Sequence, residues 1–183
     1  MVEIPFFSAE LLFAALWLLS RILVWVRQKE IHWKREALLF LMYVNLAVVL
    51  RFTFFPMSKV NGRVQPLLFD AAAVFPFRVN LVPFVNLLDY NNRRDLLLNV
   101  VGNAAMFVPT GIILPILFRR LDRLWKTAAA GALLSLCIEL LQLPFSVRAS
   151  DVDDLILNTL GVVAGYGVYA LARRLRRGKR SGT

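Results

Sequence analysis

The stretch "RASDVDDLILNTLG", residues 148 to 161, sets an arginine and three aspartates directly before a run apolar enough to enter a membrane, with an asparagine inside that run. Asp151, Asp154 and Asn158 follow a three-then-four spacing. Asn99 and Asn103 are four apart, and Ser135, Glu139 and Gln142 step by four and then three. Each set therefore occupies one face of its helix. Carboxylates and amides so grouped bind hydroxyl and ammonium groups. A carboxylate desolvated within a membrane, with another ionised nearer water, also provides the pair that acid–base catalysis uses, and Glu139 and Asp154 are the candidates for those roles. Several carboxylates together suit a hard divalent ion, although no metal or cofactor site is expected. A nucleophilic mechanism has less support, because Ser135 and Ser150 have no histidine near them in sequence and the single histidine, His32, lies in a basic loop. The lone cysteine, Cys137, excludes intrachain disulfides and a cysteine-rich metal site.

The elements that must position these residues are membrane spans. The chain has 183 residues, 58% of them hydrophobic, yet its formal net charge is +10. Apolar blocks at about 8 to 26, 37 to 55, 97 to 118, 127 to 145 and 154 to 172 are each long enough to cross a hydrocarbon core of roughly 30 Å. The expected fold is all-α: one polytopic transmembrane domain over residues 1–183, about five helices in a bundle, with a basic cytoplasmic tail at 173–183. The basic excess is a topology signal rather than a nucleic-acid surface, since 14 of the 22 lysines and arginines fall in "RQKEIHWKRE", "RRLDRLWK" and "RRLRRGKR". Applied to these clusters, the positive-inside rule puts the N-terminus outside and the C-terminus in the cytoplasm. The start "MVEIPFFSAE" lacks a basic n-region, so the first block is expected to stay attached as a span. The loop from 56 to 96, rich in Pro, Phe and Asn, carries apolar runs too short to span and is expected to lie at the outer interface or to re-enter the protein.

This topology brings the polar residues to one level. With a rise of 1.5 Å per residue, Glu139 sits about 9 Å from the outer end of its helix and Asn103 reaches a similar depth. Asp154 and Asn158 open the last helix from the same side, and Arg51 lies near the outer end of the second. An unpaired charge at the bilayer centre costs about 2.5 to 3.5 kcal/mol, so Glu139 should be paired, protonated or hydrated, with Arg51 and Arg148 the nearest candidate partners. The expectation is a shared, outward-facing polar pocket. The structural alternatives are that the amides act as glue between helices, worth roughly 0.6 kcal/mol per contact, and that the aspartates cap the last helix. Gly102, Gly131, Gly161 and Gly165 are expected at close helix contacts. Pro109 and Pro115 are expected to kink or unwind the third helix. Glu10 and Arg21 are expected to extend toward head groups.

Four blocks carry a resemblance: "VNLVPF" (79 to 84), "NVVGNAAMFVPTGIILP" (99 to 115), "SLCIELLQL" (135 to 143) and "RASDVDDLILNTLGVVAGY" (148 to 166). In this order and at these separations they resemble the VanZ-like proteins over roughly residues 50 to 170. The resemblance implies a small multi-pass protein of the bacterial cytoplasmic membrane, in a family whose namesake is associated with resistance to the glycopeptide teicoplanin. It implies Asn80, Asn99, Asn103, Glu139, Gln142, Arg148, Asp151, Asp154 and Asn158 as site residues, and the depth reading adds Arg51. The expected partners are membrane lipid and a lipid-linked cell-wall precursor or lipoglycopeptide bound in the pocket, with Arg78, Arg93 and Arg94 placed to meet phosphate from the water side. Nucleic acid is not expected. The alternatives are an intramembrane enzyme acting on lipid-linked substrate through Glu139 and Asp154, and a small proton-coupled transporter.

Overall fold

The computed structural model describes residues 1–55, 59–60, 62–76, 78–85, 92–146 and 148–180. Five helices carry the chain: α1 (Phe6–Gln28), α2 (Trp33–Phe54), α3 (Arg93–Leu117), α4 (Leu124–Gln142) and α5 (Val152–Arg180). Each is long and apolar enough to cross a membrane. The shortest, α4, has 19 residues, or about 28 Å at the helical rise, close to the thickness of a hydrocarbon core. The protein is therefore an all-α, multi-pass membrane protein. The last helix runs through Arg180, so the basic stretch from Arg173 to that residue is helical. The third helix continues through Pro109 and Pro115, so of the two outcomes expected for these prolines, a kink or unwinding, the second does not occur.

Short strands accompany the helices: β1 (Val2–Ile4), β2 (Lys59–Val60), β3 (Arg63–Val64), β4 (Leu67–Phe69), β5 (Val79–Asn80) and β6 (Ser150–Asp151). β1 pairs antiparallel with β4, aligning Glu3 with Leu68, while β2 and β3 form a hairpin and β5 pairs with β6. None of this was visible in the hydropathy of the long loop. The expectation of an interfacial or re-entrant segment falls partly on residues 56–58, 61, 77 and 86–91, outside the described residues.

The chain divides into two compact units. The first holds Met1–Val79 and Ile138–Ser150. In it, α1 packs on α2 through aromatic side chains: Phe13 stacks on Tyr43 at 5.3 Å between ring centres, and Trp17 reaches Phe40 and Tyr43. Arg21 donates to both carboxylate oxygens of Glu36, at 2.8 and 2.9 Å. This bidentate pair corrects the expectation that Arg21 extends toward head groups. With both side chains about seven-eighths enclosed, the geometry is the favourable one for an arginine–carboxylate pair. After α1, Lys29 takes the left-handed conformation and its N–H bonds Trp25 O, stopping the helix.

The second unit holds Asn80–Cys137 and Asp151–Thr183, and its frame is the contact of α3 with α5. A Cβ on Gly161 would collide with the carbonyl oxygen of Ala104, and one on Gly111 with that of Val162. Glycine at these two positions lets the backbones touch, the usual device for helices that associate without a hydrophobic driving force in lipid. Gly102, expected at such a contact, has open space around it; Gly111 fills that role. Between α3 and α4 the chain turns at Arg119–Leu121, where the buried Thr127 hydroxyl donates to Leu121 O at 2.6 Å.

Candidate functional site

The polar residues singled out by spacing fall in both units, and each unit organises its share differently. In the first unit the common target is backbone at the end of α2. Helices leave their last carbonyls without intrahelical partners. Here Gln142 Nε2 donates to Thr53 O at 2.7 Å, Arg148 Nε to Phe54 O at 2.7 Å and Arg51 Nη1 to Phe55 O at 3.2 Å. Two of these donors are guanidinium groups at a helix C-terminus, where positive charge complements the dipole. Phe55 is fully enclosed, and the ring of Phe6 meets it edge-on while the Arg51 guanidinium lies over the Phe6 ring, 5.4 Å from its centre.

Glu139 is 6% exposed, and its backbone carbonyl accepts the Ser150 hydroxyl at 2.6 Å. Ser150, considered above only as a nucleophile, thus ties the loop 143–150 to α4. Arg78 donates to Phe145 O at 3.4 Å and also to Ser146 O. Arg78, one of the three arginines expected to meet phosphate from the water side, thus also holds this same loop.

In the second unit the polar residues meet one another at the start of α5. Asp151 accepts the N–H of Asp153 at 3.0 Å, the N-cap geometry, and the Asn80 amide at 3.2 Å. The capping role considered for the aspartates thus belongs to Asp151. Asp154 accepts from Asn103 Nδ2 at 2.6 Å, and the same amide reaches Asn99 Oδ1 at 3.4 Å, so the two asparagines spaced by four do share a face. Asp153, left out of the expected site, is the most enclosed carboxylate of the three at 2% exposure. Its Oδ1 accepts the Phe84 N–H at 2.8 Å, and its Oδ2 has no hydrogen-bond partner among the described residues. Asp153 lies outside the three-then-four spacing of Asp151, Asp154 and Asn158, so periodicity could not select it. One signal was available: it is the middle acid of an Asp-x-Asp-Asp run at a helix start.

The partner of Asp153 is unusual. Phe84 has φ +67°, a left-handed conformation that costs a bulky residue about 1–3 kcal/mol and survives only where neighbours enforce it. Two hydrogen bonds do so: Asn80 Oδ1 accepts the Val82 N–H at 3.1 Å, forming a side-chain-closed turn, and Asp153 takes the Phe84 N–H. The turn 80–84 is thereby fixed to the head of α5 through Asp151 and Asp153. Its Leu81, Val82 and Phe84 side chains stay more than half exposed.

Asn158 stands apart from this network. It is 1% exposed, and its amide donates to the enclosed Ser135 hydroxyl at 2.9 Å. This strut between α4 and α5 matches the glue reading of intramembrane amides. Among the described residues no three His, Cys, Asp or Glu side chains come together in a way that would hold a metal ion.

Residues 38–173 match the protein family described as VanZ/LLP1. The chain is also 32% identical to Protein VanZ of Enterococcus faecium over 111 residues, 59% of this chain and 64% of that relative, so the similarity spans slightly under two thirds of the relative's length. No solved structure matches the chain.

Proposed function

The chain belongs to the VanZ/LLP1 family, and from that premise we propose that the carboxylate–amide cluster at the head of α5, with the turn 80–84, binds the polar head of an amphiphilic envelope molecule. The ligand is a lipid-linked cell-wall precursor or a lipoglycopeptide such as teicoplanin, the compound with which the family's namesake is associated. On this reading the membrane is the bacterial cytoplasmic membrane, the N-terminus lies outside, and the head of α5 opens on the outer face.

The observation that carries the reading is Phe84. A strained aromatic residue held half exposed by a buried carboxylate is a feature that stability alone does not select, and strained backbone concentrates at binding and catalytic sites. The chemistry beside it is acidic and amide-rich, with three aspartates and Asn80, Asn99 and Asn103. Such a surface suits a head bearing hydroxyl or ammonium groups better than a bare phosphate, while Leu81, Val82 and Phe84 suit the apolar part of the same molecule. An aminated, hydroxylated sugar or peptide head on a lipid tail combines both.

Two experiments test this reading. Purification from native membranes followed by mass spectrometry of bound lipids should recover a lipid-linked precursor alongside bulk phospholipid, and fluorescent teicoplanin should bind the protein in nanodiscs. If only bulk phospholipid co-purifies and neither probe binds, the proposal is wrong. For orientation, a cysteine placed at Gly62 in a Cys137→Ser background should react with an impermeant reagent in intact cells. Reaction only after permeabilisation would reverse the topology.

A further inference from the structure

The opposite end of the α3–α5 pair carries a second recess whose chemistry differs from that of the first. A cavity of about 910 Å³ lies where α3 ends and α5 passes its last turns. Its apolar wall includes Ile112, Pro115 and Ile116 of α3, and its rim carries Arg119, Arg173, Arg176 and Arg177 with a single acid, Asp122. A smaller recess of about 270 Å³ shares Tyr169, Arg173 and Arg177 with it and adds Arg174. Arg173 is already committed: it donates to Asp122 Oδ2 and lies 3.4 Å from the Tyr169 hydroxyl. Asp122 turns its other oxygen into an enclosed position with no hydrogen-bond partner among the described residues. The ion pair fixes one guanidinium and leaves Arg119, Arg176 and Arg177 as exposed cations around the same opening.

We propose that this recess is a binding site for an anionic phospholipid whose head carries two phosphates. Guanidinium groups hold phosphate oxygens in paired hydrogen bonds. Three cations beyond the Asp122 pair match a dianionic head better than a single charge. The apolar wall, at the end of spans long enough to cross the bilayer, is placed to receive acyl chains, and a basic pocket between transmembrane helices is where such head groups bind. The volume is also ample for a head group, being at the upper end of ordinary ligand sites, about 300–1,000 Å³. The site is independent of the ligand reading for the head of α5, because it uses the other ends of these helices and the opposite charge.

Native mass spectrometry of the full chain tests it, with cardiolipin, phosphatidylglycerol and phosphatidylcholine offered as lipids and pyrophosphate as a soluble probe. The wild type should retain one cardiolipin at least about tenfold more strongly than phosphatidylcholine, a difference of roughly 1.4 kcal/mol. Arg119→Gln with Arg177→Gln should reduce that preference to near parity. Arg123→Gln, which removes a nearby charge outside either recess, should leave it intact. If the double variant does not fold, Arg177→Gln alone, at an exposed position, should still lower retention severalfold. Equal retention of the three lipids, unchanged cardiolipin retention in the Arg177 variant, or loss as large in the Arg123 variant would overturn the proposal. Displacement of bound cardiolipin by pyrophosphate at equal concentration would overturn the lipid assignment in favour of a soluble phosphate ligand.

Discussion

The two polar clusters are built from different residue types and bind different targets: guanidinium groups and an amide in one, carboxylates and amides in the other. At the end of α2, Arg51, Gln142 and Arg148 direct their donors at backbone carbonyls. At the head of α5, Asn80 and Asn103 donate to Asp151 and Asp154, while Asn80 Oδ1 and Asp153 accept N–H groups of the turn 80–84. A donor bound to a helix's orphan carbonyl completes the fold, since that carbonyl has few alternatives inside a membrane. A network of side chains around a strained turn does something else: it fixes a shape that the backbone would otherwise abandon. Polar residues in and beside membrane spans thus do not by themselves identify a ligand site.

The largest effect is expected from Gly161→Leu, which drives a side chain into the Ala104 carbonyl. Because α3 carries Asn103 and α5 carries Asp154, separating them should remove the second cluster together with about 3 kcal/mol of stability or more, read as loss of folded protein on thermal challenge. Next comes Arg148→Ala. Taking a charged donor from Phe54 O should cost about 1.5–3 kcal/mol, with ligand affinity unchanged once the protein is folded. Asp154→Asn should do the reverse, lowering affinity for a teicoplanin or precursor probe about tenfold, near 1.4 kcal/mol, while thermal stability moves little. The smallest effect belongs to the Asn158–Ser135 strut. A double-mutant cycle with Asn158→Ala and Ser135→Ala should give a coupling of about 0.6 kcal/mol in stability and none in binding.

Hydropathy and charge made the five spans legible, because length and apolarity are local properties of a sequence. The lengths of the ends were less visible: α5 continues through a basic run whose arginines and lysine do not interrupt a helix. Helical spacing correctly joined Asn99 to Asn103 and placed Asp151 and Asp154 together at one helix start. It could not show that Gln142 and Arg148 serve a different helix's carbonyls, since a backbone partner leaves no mark in the sequence. Arg21 and Glu36 stayed separate for the same kind of reason, being 15 residues apart on different helices. Phe84 and Asp153 were hidden more deeply. A left-handed phenylalanine has no sequence signature, and only the turn closed by Asn80 explains why a carboxylate 69 residues away must meet its N–H.

The division between an architectural cluster and a binding one is tested most directly by titrating one labelled ligand, fluorescent teicoplanin or a labelled lipid-linked precursor, against the wild type, Arg148→Ala and Asp154→Asn in nanodiscs. The temperature is chosen so that all three are folded. Weakening of about tenfold in Asp154→Asn, with the Arg148→Ala curve superimposed on the wild type, is the expected result. Equal weakening in both variants, or weakening in Arg148→Ala alone, would contradict it.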